Sequence, residues 1–165
     1  MIKTSLLASL FVAALATSAS AGGQAGAIGI GAEYQLSGIG GVSLTYDGGM
    51  FHAGGAISFN DPPGADNTDF QIEGRFYYHV HHSAFADFGL GGSLGLQSLG
   101  NGPGMDRATN VFLQPGFEIR AFLSSNVALS AAGGIVIGVV DADGVAITGQ
   151  NFGAAGGVGL HYYFY

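Results

Sequence analysis

The sequence predicts an all-β protein, a closed eight-stranded antiparallel up-and-down transmembrane β-barrel, and three observations lead to this fold. Eight runs of residues alternate between apolar side chains and small or polar ones, which is the two-residue period of a β-strand. Within each run the charged residues keep to one parity, so that the opposite face is free of charge. The connections alternate between short turns and longer loops, as they do in transmembrane barrels.

Residues 1–21 have the pattern of a secretory signal peptide. Lys3 is followed by the mostly apolar run 6–16, and the small residues Ala19-Ser20-Ala21 form a cleavage site. The apolar run is too short for a membrane-spanning helix. A core helix at the N-terminus is the alternative, but the small-residue cleavage site argues against it. We therefore predict cleavage after Ala21 and export of a single domain, residues 22–165.

The composition excludes several classes of protein. The net charge is −7, and such an acidic chain has no basic face for nucleic acid. There is no cysteine, so no disulfide supports the fold. Charged residues make up 9 % of the chain, whereas about a quarter is typical of soluble proteins, and the apolar content is too high for disorder. These values suit a barrel that faces lipid; a soluble periplasmic β-sandwich is the alternative fold.

The predicted strands follow one another along residues 22–165, and the last of them shows the alternation most clearly. Leu160, Tyr162 and Phe164 have one parity, whereas His161 and Tyr163 have the other. Its fourteen residues exceed the roughly 9–11 that a transmembrane strand needs. The eight runs are Gln24–Leu36, Ile39–Asp47, Met50–Asn60, Asp69–His81, Ala84–Gln97, Asn110–Leu123, Asn126–Val139 and Phe152–Tyr165.

The connections predict which end of the barrel faces which side of the membrane. Three are tight turns, Asp47-Gly48-Gly49, His82-Ser83 and Ser124-Ser125. The others are Ser37-Gly38 and the longer Asn60–Thr68, Ser98–Thr109 and Val140–Asn151. Short turns face the periplasm in such barrels, and longer loops face outward. An even number of strands then places both chain ends at the periplasmic side.

Pro115 is a local conflict, because it lies on the lipid-facing parity of the sixth run and has no N–H to donate to a neighbouring strand. A closed barrel has no edge strand where a proline would be harmless. We therefore expect a β-bulge at this position.

In its architecture the chain resembles the small eight-stranded outer-membrane barrels typified by the OmpA transmembrane domain and OmpX, over residues 22–165. Proteins of that class end in an alternating strand with a final aromatic residue that the outer-membrane assembly machinery recognises. The resemblance implies that Tyr162, Tyr163, Phe164 and Tyr165 form this assembly signal. Phe164 has the lipid-facing parity and Tyr165 extends one residue further, which leaves the register of the last strand open. The resemblance also implies contact with outer-membrane lipids and lipopolysaccharide.

The charged residues of the strands are predicted to line the lumen, which in an eight-stranded barrel is just wide enough to be filled by side chains. Inward glycines leave room for large inward neighbours such as Tyr77, Phe112 and Tyr163. Charges in a narrow lumen must be paired, and each of the two arginines can bind several carboxylates. We predict two clusters at different heights, one of Asp87, Glu118 and Arg120 and the other of Glu33, Glu73 and Arg75, with Asp47 also inward. A structural polar network is favoured; a gated ion path or an acid/base site is the alternative.

The histidines also favour one face. By parity His52, His79, His81 and His161 point inward near the periplasmic end, and His82 lies in a turn. A weak metal site is conceivable on the adjacent runs, but ligands must converge, and His161 lies across the barrel. Titrating residues at the rim are the favoured interpretation, so we predict no metal and no cofactor.

We expect a structural or surface-interaction barrel in the cell outer membrane, which acts through its outer loops on a ligand that the sequence does not identify. The alternative is a narrow, porin-like channel for ions or small solutes. An outer-membrane lipid-modifying enzyme is a weaker alternative, since no outer loop contains a histidine to activate a serine. We therefore predict that the protein is not an enzyme.

Overall fold

A computed structural model describes residues 23–35, 40–61, 68–100, 107–140 and 154–165. The predicted signal peptide and most of the connections Ser37-Gly38, Asn60–Thr68, Ser98–Thr109 and Val140–Asn151 lie outside these residues. Across these ranges, no helix is long and apolar enough to cross a membrane. The strands are β1 (Ile28–Gln35), β2 (Gly40–Asp47), β3 (Phe51–Asn60), β4 (Asp69–His82), β5 (Ala86–Leu99), β6 (Ala108–Phe122), β7 (Val127–Ile135), β8 (Ile137–Val140) and β9 (Ala154–Phe164).

The strands form a closed antiparallel barrel. β7 and β8 both pair with β6 and act as one barrel strand interrupted at Val136, so the barrel has eight strands. The ring closes where β9 pairs with β1, from Ile28 opposite Phe164 to Gln35 opposite Gly157. The predicted all-β, closed, eight-stranded antiparallel barrel is confirmed. Turns join β2 to β3, β4 to β5 and β6 to β7 at one end, which we name the turn end; the opposite end is the loop end.

The two faces of the barrel have opposite chemistry. Large apolar side chains point outward and are about half exposed, among them Leu44, Leu90 and Leu160. Polar side chains such as Thr45, Ser58 and Gln71 point inward and are buried. A buried apolar cluster of Ala27, Phe122, Ala128 and Tyr163 lies inside the barrel at the turn end. The core of this protein is therefore mostly polar, the reverse of an ordinary globular protein.

A β-bulge in β4 changes the predicted faces near the turn end. His79 pairs with Gly89 and His81 pairs with Phe88, so Val80 has no partner on β5. The additional residue reverses the alternation after it. His81 consequently lies outward and exposed, whereas the alternation predicted it inward. His82 remains exposed, but its side chain is directed toward the buried Asp87 opposite it.

The prediction of a β-bulge at Pro115 is wrong. β5 and β6 pair without a shift through Gly92 opposite Pro115. On the other side, pairing stops after Leu113 opposite Ile137 and resumes at Gly116 opposite Gly134 in the same register. The protein therefore accommodates the residue that lacks an N–H by interrupting one ladder, which divides β7 from β8.

Candidate functional site

The lumen is the candidate functional site, because seven charged side chains lie inside it. They come from five of the strands and are buried or nearly so. These residues are Glu33, Asp47, Glu73, Arg75, Asp87, Glu118 and Arg120. Buried charges are stable only when they are paired, so their partners define what the lumen can do.

The turn-end network consists of Asp47, Asp87 and Arg120. Asp87 and Arg120 are opposite each other on β5 and β6, and Arg120 Nη2 donates to Asp87 Oδ2 over 2.6 Å. Asp47 Oδ2, at the end of β2, lies 2.8 Å from the same nitrogen. Arg120 Nη1 donates to the Tyr163 hydroxyl over 3.1 Å, and the Phe122 ring lies 5.4 Å from the guanidinium carbon. One guanidinium therefore holds two carboxylates and packs on aromatic rings.

The loop-end network consists of Glu33, Glu73 and Arg75. Arg75 donates to both carboxylate oxygens of Glu33, from Nη1 over 2.9 Å and from Nη2 over 2.5 Å. Its Nη2 also donates to Glu73 Oε1 over 2.8 Å. The side-chain amides of Gln35 and Gln71 donate to the other oxygen of Glu73, over 3.2 Å and 3.1 Å. Glu33 therefore has a bidentate contact with the guanidinium, and Glu73 receives hydrogen bonds from the guanidinium and two amides. Buried carboxylates are stable when such hydrogen bonds are made.

Two histidines connect Glu118 to the turn-end network. His52 Nε2 lies 3.2 Å from Glu118 Oε1, across the lumen from β3 to β6. Its other nitrogen, Nδ1, lies 2.8 Å from His79 Nε2, and His79 Nδ1 lies 2.8 Å from the Gly49 carbonyl oxygen. Arg120 Nη2 also donates to His79 Nε2 over 3.1 Å. We name the contact between His52 and Glu118 the central pair.

The partners of two charged residues differ from the predicted clusters. The sequence grouped Glu118 with Arg120, but Glu118 contacts His52, and Asp47 is the second carboxylate at Arg120. Pairing of adjacent strands predicts that Asp87 lies beside Arg120, and the structure places them together. Contacts across the lumen also depend on how the sheet closes, and no spacing in the sequence encodes them.

The inward histidines do not form one rim at the turn end. His161 Nε2 lies 3.0 Å from Glu33 Oε1, so this residue belongs with the loop-end network. Glycine backbones on both sides provide the space, since a Cβ at Gly159 would lie 2.9 Å from the His161 ring. His82, assigned to a turn from the sequence, instead lies 2.5 Å from Asp87 Oδ1. The bulge at Val80 moves it there, and no pattern in the sequence marks that bulge.

Ser43, His161 and Glu33 include the residue types of a catalytic triad, but their geometry differs from one. Ser43 Oγ lies 2.8 Å from His161 Nε2, and Glu33 contacts that same nitrogen. In a triad the serine and the carboxylate bind opposite nitrogens, so that the carboxylate orients the ring and the other nitrogen removes the proton. Ser43 is also buried. The arrangement is therefore a buried hydrogen-bond group rather than a nucleophile with its base.

A metal centre is also disfavoured by the contacts. His79, His82 and Asp87 bring three possible ligand atoms within 4.8 Å of one another. Arg120 already donates to both His79 and Asp87. A metal ion there would meet a fixed positive charge within hydrogen-bond distance of two of its ligands. The arrangement is that of an ion-pair network.

A small cavity of about 30 Å³ separates the loop-end network from the central pair. It is lined mostly by polar side chains, among them Glu73, Arg75, Ser93, Gln114 and Glu118. A polar space of this size has room for roughly two water molecules.

Comparison of the chain with protein-family models, with curated proteins and with solved structures found no match.

Proposed function

We propose that the protein is a small outer-membrane β-barrel with a closed polar lumen, and that it has a structural or surface-interaction role. The observation that carries this proposal is the reversal of its two faces. Side chains such as Leu94, which is 58 % exposed, cover the outside, whereas Arg120 is 1 % exposed inside. A barrel in water would expose this apolar surface at high cost, and a barrel in lipid would not.

Most outward aromatic residues support the same proposal, because they lie near the strand ends, although Phe76 and Phe117 lie nearer the middle. Tyr34, Phe59 and Phe70 are at the loop end, and Tyr46, Phe51, Tyr162 and Phe164 are at the turn end. Aliphatic side chains such as Leu44, Ile57 and Ile72 lie between these two groups. Transmembrane barrels have this order, with aromatic girdles at both interfaces and an apolar band between them.

The two arginine networks support a closed lumen. Arg120 binds carboxylates of two other strands, Asp47 of β2 and Asp87 of β5, and Arg75 binds Glu33 of β1 as well as Glu73 of its own strand. The ion pairs therefore connect the walls across the lumen. The outer loops are then the part that meets lipopolysaccharide or an extracellular ligand. Export through the predicted signal peptide and assembly through the last strand, as in the OmpA and OmpX class, complete the proposal.

A narrow ion or small-solute channel is the second candidate, and the cavity between the two networks favours it. Water in this cavity would shorten the closed part of the lumen. Passage would still require the ion pairs of Arg75 and Arg120 to open.

Membrane fractionation and gel migration test the first proposal. We expect a chain that begins at Gly22, fractionates with the outer membrane, is extracted only by detergent, and migrates differently before and after heating. A chain that is soluble without detergent and insensitive to heating would contradict the proposal. Planar-bilayer recordings at about pH 5.5, below the usual histidine range, separate the candidates, since a structural barrel is closed there and a permanent channel conducts.

A further inference from the structure

The charges inside the lumen do not balance without protons. Two guanidinium groups, Arg75 and Arg120, face five carboxylates. The carboxylates are Glu33, Asp47, Glu73, Asp87 and Glu118. The described lumen therefore has three more carboxylates than arginines. Unpaired buried carboxylates are expensive, so another positive charge must compensate for them.

Three histidines lie where this charge is needed. His52 lies 3.2 Å from Glu118, His82 lies 2.5 Å from Asp87, and His161 lies 3.0 Å from Glu33. Each contacts a different carboxylate. Three protons on these pairs would neutralise the lumen, whereas their loss would leave it strongly negative.

The contacts of His52 favour a proton at the central pair. The Gly49 carbonyl oxygen can only accept, so His79 Nδ1 donates to it, and His79 Nε2 of the neutral ring accepts from Arg120 and, over 2.8 Å, from His52 Nδ1. The second nitrogen of His52 lies 3.2 Å from Glu118 Oε1, in an ion-pair contact that lacks hydrogen-bond geometry. Because Glu118 is buried and an ionised carboxylate there needs a positive charge nearby, a proton on this nitrogen stabilises the closed barrel.

The surroundings of the central pair make this proton consequential. His52 on β3 contacts Glu118 of β6, Tyr77 and His79 of β4, and pairs with Asp47 of β2. Arg120 of β6 donates to His79 and binds Asp87 of β5, and Arg75 of β4 lines the same cavity as Glu118. Both arginines attract Glu118, but each already binds two other carboxylates. Glu118 also borders the cavity, so a charge left there is next to space that water can occupy.

We propose that the proton of the central pair closes the lumen, and that its loss as the pH rises opens a narrow path for small monovalent cations. Loss of this proton leaves Glu118 attracted only by Arg75 and Arg120, which already bind other carboxylates. Glu118 then competes for these two arginines, which loosens the ion pairs that close the lumen and lets water and cations enter the adjoining cavity. The negative lumen repels anions. The inference rests on the proposed barrel, and adds to it a closure controlled by protons.

The test is conductance of the folded barrel in planar bilayers with potassium chloride, at about pH 5.5 and about pH 8.5, on either side of the usual histidine range. Below the midpoint the cation conductance should rise about tenfold per pH unit, in step with the deprotonated fraction. Glu118→Gln removes the charge that needs the proton and should abolish this response. His81→Gln is the matched control, because that histidine lies outward, and it should keep the response.

Three results would overturn the inference: wild-type conductance that is absent or independent of pH, a full response in Glu118→Gln, or a lost response in His81→Gln. Heat-dependent gel migration first shows that each variant is folded, and a heat-modifiable barrel without pH-dependent conductance would defeat this inference alone. If Glu118→Gln does not fold, the pH dependence of wild-type unfolding tests the inference instead. The equilibrium constant of unfolding should increase with pH. The increase should reach about tenfold per pH unit for each proton that the folded state holds and the unfolded state has released. A constant that does not increase would contradict the inference.

Discussion

Arg120 and Asp87 lie opposite each other on β6 and β5, and the guanidinium donates to the carboxylate over 2.6 Å with both side chains about 1 % exposed. Asp47 approaches the same guanidinium from across the lumen, at 2.8 Å. The arginine is therefore shared, and neither aspartate is its sole partner. Removal of Arg120 is therefore expected to lower the free energy of unfolding more than removal of one aspartate.

Arg120→Ala should destabilise the barrel more than Asp87→Ala. Loss of the arginine removes the guanidinium from two buried carboxylates and leaves Asp87 with His82 alone, at a cost of about 3–5 kcal/mol. Loss of Asp87 should cost less, because Arg120 keeps Asp47 and the Tyr163 hydroxyl. Reversible unfolding by urea in lipid vesicles measures both free energies. Arg107→Ala, an exposed arginine outside the strands, is the control and should change little. Equal losses for the two lumen variants would contradict this expectation, and a small loss for Arg120→Ala would show that the network is solvated.

Leu90→Arg distinguishes a barrel in lipid from a barrel in water. Leu90 is 50 % exposed on the outer face of β5. If that face contacts lipid at mid-strand, an arginine there should cost roughly 2–4 kcal/mol. If the face contacts water, the change should stay within about 0.5 kcal/mol. Leu90→Met is the control, since it keeps an apolar side chain in either environment. The measurement is the free energy of unfolding in vesicles, and a neutral arginine would refute the membrane proposal.

Deletion of residues 162–165 should prevent the barrel from closing. It removes three pairs between β9 and β1, from Ile30 opposite Tyr162 to Ile28 opposite Phe164. It also removes the Tyr163 hydroxyl that accepts from Arg120. Deletion of four residues from the predicted loop Val140–Asn151, residues 143–146, is the control, because it leaves the last strand intact. Heat-dependent migration should disappear in the C-terminal deletion and persist in the control. Normal amounts of heat-modifiable truncated protein would contradict the expectation.

Gly31→Ala should destabilise the barrel, whereas Gly74→Ala should not. A Cβ at Gly31 would overlap the His161 ring and lie 2.6 Å from the Leu160 carbonyl oxygen. Relief requires the ring to move away from Glu33, and overpacking of this kind costs roughly 1–3 kcal/mol. A Cβ at Gly74 would approach no atom closer than 4.0 Å. Unfolding in vesicles compares the two, and equal effects would show that His161 has no fixed position.

The sequence by itself determined the strands, their inward and outward faces, and the antiparallel order. These features follow from local alternation, because a strand directs successive side chains to opposite faces whatever its partners are. Adjacent pairing then follows from the order of the strands and their connections, which is why the sequence predicts Asp87 beside Arg120. The inward parity of Glu33, Glu73 and Arg75 was readable in the same way.

Only the tertiary structure decided the partners across the lumen and the local irregularities. Glu118 reaches His52, and Asp47 reaches Arg120, because closure of the sheet brings together strands that do not pair. The bulge at Val80 exchanges the faces of His81 and His82, and the interruption beside Pro115 replaces the expected bulge. A two-residue period cannot register a single additional residue, and it contains no information about distances across a closed ring.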